Sequence, residues 1–486
     1  MKKKFIYTLA LGCTMMYTSC KKDLLDPVPQ TSVSDASAFD TPDRVLNQVR
    51  SLYAALKSGS FYGGRYIVYG DIRGEEFIAE GSNVVTGYDV WGQNPLNSSQ
   101  NSVVNLWSQA YFTINVCNIF LEGMATKGNT VVGTALAANY NAEAKLIRAL
   151  CYYSLLQFYA RPYWDGNGSK PGVPLRLTGI KGSGASDLAR STVAEVYTQI
   201  LKDLNEAETG LALTNGTAVL NTTRAHRNTA IALKTRVYLS MQKYAEVITE
   251  ANKIVSSTAP FTATTGVNHS LQADITNVFK TPYTTTESIF SMPFSTAAAS
   301  DYPGTQNQLG FYFYQGTAPG TGEYSLNASG IIADAGWTAS DKRRSFIYGT
   351  GKKYLSKYSS PNPYLDYAPV IRYSEVMLNL AEARVRTTTS VDPQAVALLN
   401  AVRNRSDATV TFTAASFANS TALLDAILKE RRIEFLGEGL RSIDILRLGQ
   451  TFPAKGTAPA KAPADQGYIW PISINELLYN KLMTDN

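Results

Sequence analysis

The sequence has few histidines, few cysteines and a low share of charged residues. Among its 486 residues are two histidines and four cysteines, and Asp, Glu, Lys and Arg together make up 17%. It contains no His-Glu-x-x-His metal motif, no Gly-x-Ser-x-Gly nucleophile motif and no complete phosphate-binding loop. The formal net charge of +6 is too small for this length to indicate a nucleic-acid-binding protein. We therefore predict a protein that is not an enzyme, with no catalytic residues, metal site or cofactor.

Long apolar runs are also missing, apart from one at the N-terminus. Lys2, Lys3 and Lys4 precede a mostly apolar run at residues 5–16, and small residues follow it up to Cys20. This pattern is typical of a secretory signal, and the run is shorter than the roughly 18 residues of a membrane-spanning helix. We expect residues 1–19 to be a signal peptide, whose removal lowers the formal charge from +6 to +3.

The cysteines have two different expected roles. The sequence Tyr-Thr-Ser-Cys at residues 17–20 resembles a lipoprotein box with tyrosine in the position usually held by leucine. Cleavage there would leave Cys20 as a lipidated N-terminus; the alternative is an ordinary secreted protein in which Cys20 is incidental. Cys117 and Cys151 lie in apolar helical patterns, so we expect them in the core rather than in a disulfide.

Apolar residues recur at helical spacing over most of the chain. The predicted helical segments are about 40–57, 100–260 and 370–450. Small residues in the neighbouring helices at 228–241 and 244–255 permit close approach, and such pairs resemble tetratricopeptide units. The predicted fold is mainly α: a tetratricopeptide-like helical-pair scaffold with long irregular loops and a few short strands, in one domain at residues 20–486.

Charged residues are concentrated between 429 and 447. Arg431 shares a helical stripe with apolar residues, so its guanidinium should lie beside the core and need an acidic partner. Acidic residues recur every four positions, at Glu430, Glu434 and Glu438. We interpret the segment as a half-buried structural ion network, with Gly437 and Gly439 ending the helix.

Several segments resemble known signatures of one family. Residues 143–163, 372–383 and 429–447 are each similar to a signature of the SusD/RagB family, and they occur in the family's order, followed by Trp-Pro-Ile at 470–472. The resemblance implies a cell-surface lipoprotein of the outer membrane, anchored through Cys20. It further implies a receptor that captures an oligosaccharide or polysaccharide and delivers it to a SusC-like TonB-dependent transporter.

Two regions, 58–100 and 261–362, interrupt the helical pattern and are expected to be ligand loops. They are rich in aromatic residues and in Gly, Asn, Ser and Thr. Aromatic rings can cover the C–H face of a sugar while Asn and Arg side chains bond its hydroxyls. Family position favours Trp91 and the stretch from Tyr302 to Trp337. The candidate ligand-binding residues are Arg73, Tyr88, Trp91, Asn94, Tyr302, Tyr312, Tyr314 and Trp337.

Three alternatives remain open at this stage. RagB-like members are associated with peptides, and the composition does not decide between a sugar and a peptide. A purely protein-binding helical-repeat adaptor is a further possibility, although an adaptor has no need for an aromatic loop of about a hundred residues. An enzyme is the least favoured, although a glycosidase could draw two carboxylates from Asp71, Glu75, Glu76 and Glu80.

Overall fold

The computed structural model describes residues 37–182, 184, 186–297, 301–302, 304–317 and 320–486. The predicted signal peptide and Cys20 lie outside the described residues. Within these ranges, no helix combines the length and apolar character that crossing a membrane requires.

Helices supply most of the regular structure, which confirms the predicted mainly α fold. In chain order they are α1 (Pro42–Leu56), α2 (Arg65–Ile72), α3 (Tyr88–Trp91), α4 (Asn105–Gly123), α5 (Asn129–Val132), α6 (Thr134–Tyr159), α7 (Val193–Gly210), α8 (Ala218–Thr223), α9 (Arg227–Ser240), α10 (Tyr244–Ala251), α11 (Leu309–Phe313), α12 (Tyr373–Arg386), α13 (Pro393–Ser406), α14 (Ser420–Glu434), α15 (Arg441–Arg447) and α16 (Ile474–Tyr479). The strands are β1 (Phe77–Ala79), β2 (Ser288–Met292), β3 (Tyr324–Leu326), β4 (Ile347–Tyr348), β5 (Tyr354–Leu355) and β6 (Ala368–Arg372).

The long helices pack as neighbouring pairs. Trp107 near the start of α4 meets Tyr159 at the end of α6, with ring centroids 5.0 Å apart, so these two helices are antiparallel. Helix α7 begins at a capping box, in which Thr192 Oγ1 accepts from the Glu195 amide at 3.2 Å. Helices α9 and α10 pack against each other, and α9 also packs against α7 and α12. The scaffold therefore consists of stacked helix pairs.

Both internal cysteines lie in this scaffold as predicted. Cys117 on α4 and Cys151 on α6 are free thiols with no exposed surface. Burial raises the pKa of Cys117 to about 12, so its thiol stays protonated. They act as small apolar core residues.

The prediction that residues 58–100 are irregular was wrong at α2. Every residue of this helix is buried, so the sequence shows no alternation of polar and apolar faces. Gly70 allows the close packing, because a Cβ there would lie 2.2 Å from the carbonyl oxygen of Gly439. The buried Lys455 ammonium donates to carbonyl oxygens at the C-terminal end of this helix. One of them is the carbonyl oxygen of Arg73, at 2.9 Å.

A buried ion network joins the helices to the loops. Its acidic residues are Glu287, Asp341, Glu430, Glu434 and Glu438, and its basic residues are Arg343, Lys357, Arg372, Arg403 and Arg405. Each of these side chains is at most 5% exposed. The network is therefore fully buried rather than half-buried, and its basic residues come from outside the 429–447 segment.

Glu434 lies at the centre of this network. It accepts from Arg405 at 2.6 Å, from Arg343 at 2.9 Å and from Arg372 at 3.1 Å. Burial alone would raise the pKa of Glu434, but the three guanidinium groups together hold it well below its usual range. Glu434 therefore stays ionised and binds three separate segments of the chain to α14.

Arg431 is also buried, and its acidic partner is Asp444 on α15. The guanidinium makes two contacts of 3.1 Å with the Asp444 carboxylate and donates to Asn379 Oδ1 at 2.6 Å. Gly437 and Gly439, which separate α14 from α15, have φ angles of 83° and 79°. The chain therefore reverses between the two helices at positions that favour glycine.

Replacement of Arg431 by alanine should lower the free energy of unfolding by about 3–5 kcal/mol, because it leaves a buried carboxylate with one fewer partner. Denaturant titration followed by circular dichroism would measure this loss. Arg50→Ala is the matched control, since Arg50 is exposed on α1 and its removal should change stability by no more than about 0.5 kcal/mol. Equal stability of the two variants would contradict a structural role for Arg431.

Candidate functional site

A small antiparallel sheet brings the two loop regions together. Strand β1 pairs with β3, a bridge between Leu326 and Lys353 connects β3 to β5, and β5 pairs with β4. Because side chains alternate along a strand, Phe77 and Ala79 point to one face and Ile78 to the other. Phe77 packs on Phe313 of α11 with ring centroids 4.6 Å apart, which fixes the first face against the core. Ile78, on the opposite face, is half-buried and packs against the core.

Three tyrosines form a cluster at the end of this sheet, which we call the tyrosine platform: Tyr314, Tyr348 and Tyr354. The ring centroids of Tyr314 and Tyr348 lie 5.1 Å apart, and those of Tyr348 and Tyr354 lie 6.1 Å apart. Tyr314 and Tyr348 are half-buried, whereas Tyr354 is 4% exposed. The platform therefore presents two rings to solvent, with a third beneath them.

Hydrogen bonds hold the platform in place. The Tyr348 hydroxyl accepts from the Gln315 amide and donates to the Gln315 carbonyl at 3.1 Å. Burial raises the pKa of Tyr348 to about 12, so this hydroxyl remains neutral and keeps its donor. The loop that follows α11 is thereby joined to the β4–β5 hairpin.

Charged side chains surround the platform. Lys352, on the same hairpin, forms an ion pair with Glu80 at the end of β1. The Lys353 ammonium donates to the carbonyl of Gly349 at 2.6 Å. Both lysines are exposed. A ligand on the tyrosine platform would therefore find flat apolar rings bordered by hydrogen-bonding groups.

A second aromatic pair comes from the first loop region. Tyr88 is half-buried and stacks on Trp91, with centroids 5.5 Å apart and planes inclined by 26°. Asn94, three residues further on, is exposed. The Tyr324 hydroxyl donates to the carbonyl of Thr86 at 2.9 Å, so this loop is fastened to strand β3.

The structure separates the eight predicted ligand-binding residues into two groups. Those with exposed or half-buried side chains are Tyr88, Asn94, Tyr302 and Tyr314. Those in the interior are Arg73, Trp91, Tyr312 and Trp337, which are 0–3% exposed. For all eight, contact with a ligand stays a prediction. In this conformation, however, a buried side chain has no surface that a ligand could contact. The second group therefore supports the site from inside the protein.

The interior residues have specific protein partners. Arg73 donates to the carbonyl of Tyr468 at 2.8 Å and lies over the Phe452 ring. The Trp91 indole donates to the carbonyl of Phe77 at 2.9 Å, which attaches the first loop region to β1. Tyr312 stacks on Tyr324, and the Arg344 guanidinium covers Trp337. These contacts position both loop regions around the sheet.

Comparison with known proteins places the chain in a family. Residues 23–239 match a family model described as "Starch-binding associating with outer membrane", and residues 242–486 match the model of the SusD family. A SusD superfamily protein from Bacteroides fragilis is 33% identical, with a TM-score of 0.80 over 92% of this chain and 99% of that one. The chain belongs to the SusD family. The SusD family is a carbohydrate-binding family. The description of the family model that matches residues 23–239 associates it with the outer membrane.

Two further proteins align over nearly the whole chain. SusD-like protein P38 from Formosa agariphila is 22% identical over 99% of this chain and 97% of its own length. Surface glycan-binding protein A from Bacteroides thetaiotaomicron, solved in complex with laminarihexaose, is 18% identical. Its TM-score is 0.72 over 92% of this chain and 99% of that one. The structure of this second protein has the same fold with a different sequence.

Sequence reasoning missed Tyr348 and Tyr354 in this SusD-family chain. The signal was present, because the two tyrosines flank a Gly-Thr-Gly sequence, which is typical of a hairpin turn. Gly349 and Gly351 indeed have φ angles of 104° and 80°.

The carboxylates that a glycosidase would need all contact other parts of the SusD-family fold. Glu75 and Glu76 bind Arg441 and Arg432, and Glu80 pairs with Lys352. Asp71 is 1% exposed and accepts from the amide of Gly439 at 2.8 Å. Burial raises the pKa of Asp71 to about 8. Each of the four carboxylates therefore has a structural partner within the fold.

The two histidines form a buried pair away from the tyrosine platform. The rings of His226 and His269 stack with centroids 5.2 Å apart, and both are at most 1% exposed. Burial lowers the pKa of His226 to about 3 and that of His269 to about 4, so both are neutral at pH 7. Among the described residues, no group of three or more His, Cys, Asp or Glu is arranged to hold a metal ion.

Trp91→Ala should destabilise the fold rather than act on binding alone. Truncation of a buried tryptophan costs about 3–5 kcal/mol, and here it also removes the hydrogen bond to Phe77. We expect a lower melting temperature by calorimetry. Asn94→Ala serves as the comparison, because Asn94 is exposed on the same loop and should leave the melting temperature unchanged. A wild-type melting temperature for Trp91→Ala would show that the ring is dispensable for the fold.

Proposed function

We propose that this SusD-family protein binds a glycan at the cell surface through the tyrosine platform, without cleaving it. The observation that supports this most directly is the pair of half-exposed rings, Tyr314 and Tyr348, held 5.1 Å apart on a small sheet. Two rings at this spacing can cover the C–H faces of sugar units. The surrounding Gln315, Glu80 and Lys352 side chains can bond the hydroxyls at the rim of those units.

Rigidity of the platform favours binding. The rings are fixed by the Tyr348–Gln315 bonds and by the sheet, so little side-chain freedom is lost when a ligand arrives. Each aromatic contact contributes about 0.5–1.5 kcal/mol. Several contacts must therefore act together, and affinity should rise with the length of the glycan.

A glycan is favoured over a peptide as the cargo. The related surface glycan-binding protein of the same fold was solved with laminarihexaose, which supports an extended sugar chain as a ligand. Tyr88 and Asn94 extend the polar and aromatic surface of the first loop region, as a chain of several sugar units would require. A peptide ligand at the same rings would retain the receptor role and change only the cargo.

The proposal includes anchoring and delivery. Lipidation of Cys20, after removal of residues 1–19, would hold the protein on the outer membrane. The ligand would then pass to a SusC-like TonB-dependent transporter in the same membrane. The resemblance of the chain to SusD/RagB lipoproteins and the signal-like N-terminus support this part of the proposal.

Tyr348→Ala should weaken glycan binding about five- to tenfold, corresponding to about 1–1.4 kcal/mol from one lost stacking contact. Isothermal titration calorimetry would measure this with laminarihexaose, maltohexaose and cellohexaose. Tyr348→Phe keeps the ring and should retain most of the affinity.

Tyr479→Ala is the matched control for this experiment. Tyr479 is 81% exposed on α16 and has no part in the tyrosine platform, so its removal should leave binding unchanged. Absence of binding heat for every glycan tested, with peptides binding instead, would contradict the sugar assignment. Release of shorter sugars by the purified protein would contradict the non-catalytic role.

Cys20→Ala should release the protein from membranes, because the lipid attachment would be lost. Fractionation of cells that express the full chain, followed by immunoblotting, measures this. Cys117→Ala is the control, since Cys117 is a buried core thiol and should not change the membrane fraction. Unchanged sedimentation of Cys20→Ala with membranes would exclude Cys20 as the anchor.

A further inference from the structure

A second exposed pair of stacked tyrosines lies outside the tyrosine platform. The rings of Tyr283 and Tyr367 have centroids 4.8 Å apart and planes inclined by only 24°. Both side chains are half-buried. Each half-buried ring therefore keeps part of its surface open to solvent.

The pair is held by polar contacts that fix its orientation. The Tyr283 hydroxyl lies 2.9 Å from Ser360 Oγ and donates to Asp366 Oδ1 at 3.2 Å. The other oxygen of Asp366 accepts from the Ser360 amide at 3.0 Å. Tyr367 lies directly between Asp366 and the first residue of β6. Its backbone is therefore anchored in the scaffold.

The location of the pair relates it to the tyrosine platform. Gly310 of α11 packs against the Tyr364 ring, three residues before Tyr367. Tyr314, which belongs to the platform, follows the other end of α11. Four residues of helix correspond to about 6 Å along its axis, so the Tyr364 ring and Tyr314 meet this short helix about one turn apart.

We propose that Tyr283 and Tyr367 form a second sugar-binding subsite, which takes one unit of a glycan chain whose other units occupy the tyrosine platform. This inference rests on the proposed function, since it assigns a second contact for the same ligand. The outer face of the stacked rings would cover the C–H face of a pyranose, and the Ser360 hydroxyl would meet a hydroxyl at its rim.

The charges at this subsite select the class of sugar. Asp366 contributes a buried carboxylate that accepts from the Tyr283 hydroxyl, and Asp301 is paired with Lys57. A second carboxylate or a sulfate on the sugar would be repelled by Asp366. The subsite should therefore accept a neutral pyranose and disfavour a uronic acid or a sulfated unit.

Binding of one glycan series at several chain lengths tests this inference. The proteins are the wild type, Tyr367→Ala and Tyr348→Ala, and the probes are the di-, tri- and hexasaccharides of whichever series binds the wild type best. Tyr367→Ala should weaken hexasaccharide binding at least threefold while leaving the shortest bound oligosaccharide unaffected. Tyr348→Ala should weaken both, because the tyrosine platform would hold the shorter chain.

Two further variants keep the test informative. Tyr367→Leu retains apolar bulk without an aromatic face, so it should bind like Tyr367→Ala even if the alanine variant folds poorly. Tyr367→Trp retains the stacking face and should bind the hexasaccharide like the wild type. Tyr283 is left unchanged, because its hydroxyl holds the loop through Ser360 and Asp366.

The possible failures are distinguishable. Wild-type hexasaccharide affinity in Tyr367→Leu, combined with weakened binding in Tyr348→Ala, would overturn the second subsite and leave the proposed function intact. An equal loss for short and long chains in Tyr367→Leu would also overturn it, since the pair would then not be a separate subsite. No binding of any glycan to the wild type would overturn both proposals.

Discussion

The ion network around Glu434 is the constraint on which the loop architecture depends. Three arginines, from the loop after β3, from the end of β6 and from α13, converge on this single carboxylate of α14. Burial of so many charges is costly unless they are paired, and here every carboxylate of the network forms an ion pair with a basic side chain. The network therefore acts as a junction: a loop that is not in its correct place leaves a buried charge without a partner.

Placement of the tyrosine platform follows from that junction. Arg343 precedes the β4–β5 hairpin and Lys357 follows it, and both are bound to glutamates at the end of α14 or just after it. The hairpin that carries Tyr348 and Tyr354 is thus fixed at both of its ends. Long loops often carry functional residues but are usually more mobile than the helices and strands they connect. Here buried salt bridges hold the loops in a fixed position. A rigid platform is the arrangement that weak stacking contacts need in order to bind a flexible ligand.

The aromatic residues have two distinct roles that composition cannot separate. Trp91 and Tyr312 lie in the interior, where Trp91 donates to the carbonyl of Phe77 on β1. Tyr312 donates to the carbonyl of Gln306 and stacks on Tyr324 of β3. Tyr314, Tyr348, Tyr283 and Tyr367 remain half-exposed at the surface. The interior rings hold the loops in place, and the surface rings are available for a ligand. This division explains why so aromatic a chain can be both well packed and a candidate receptor.

Local patterns in the sequence determined the helical scaffold. The apolar spacing around α1 and α7, the Thr192–Glu195 capping box and the amphipathic position of Arg431 are short-range features that the chain carries by itself. Helix α2 escaped this reasoning, because a helix buried on all sides shows no periodicity. The partners of Glu434 and the exposure of each tyrosine depend on contacts between residues far apart in the chain. Only the tertiary structure could decide those, because the same aromatic side chain is favourable both in a core and on a binding surface.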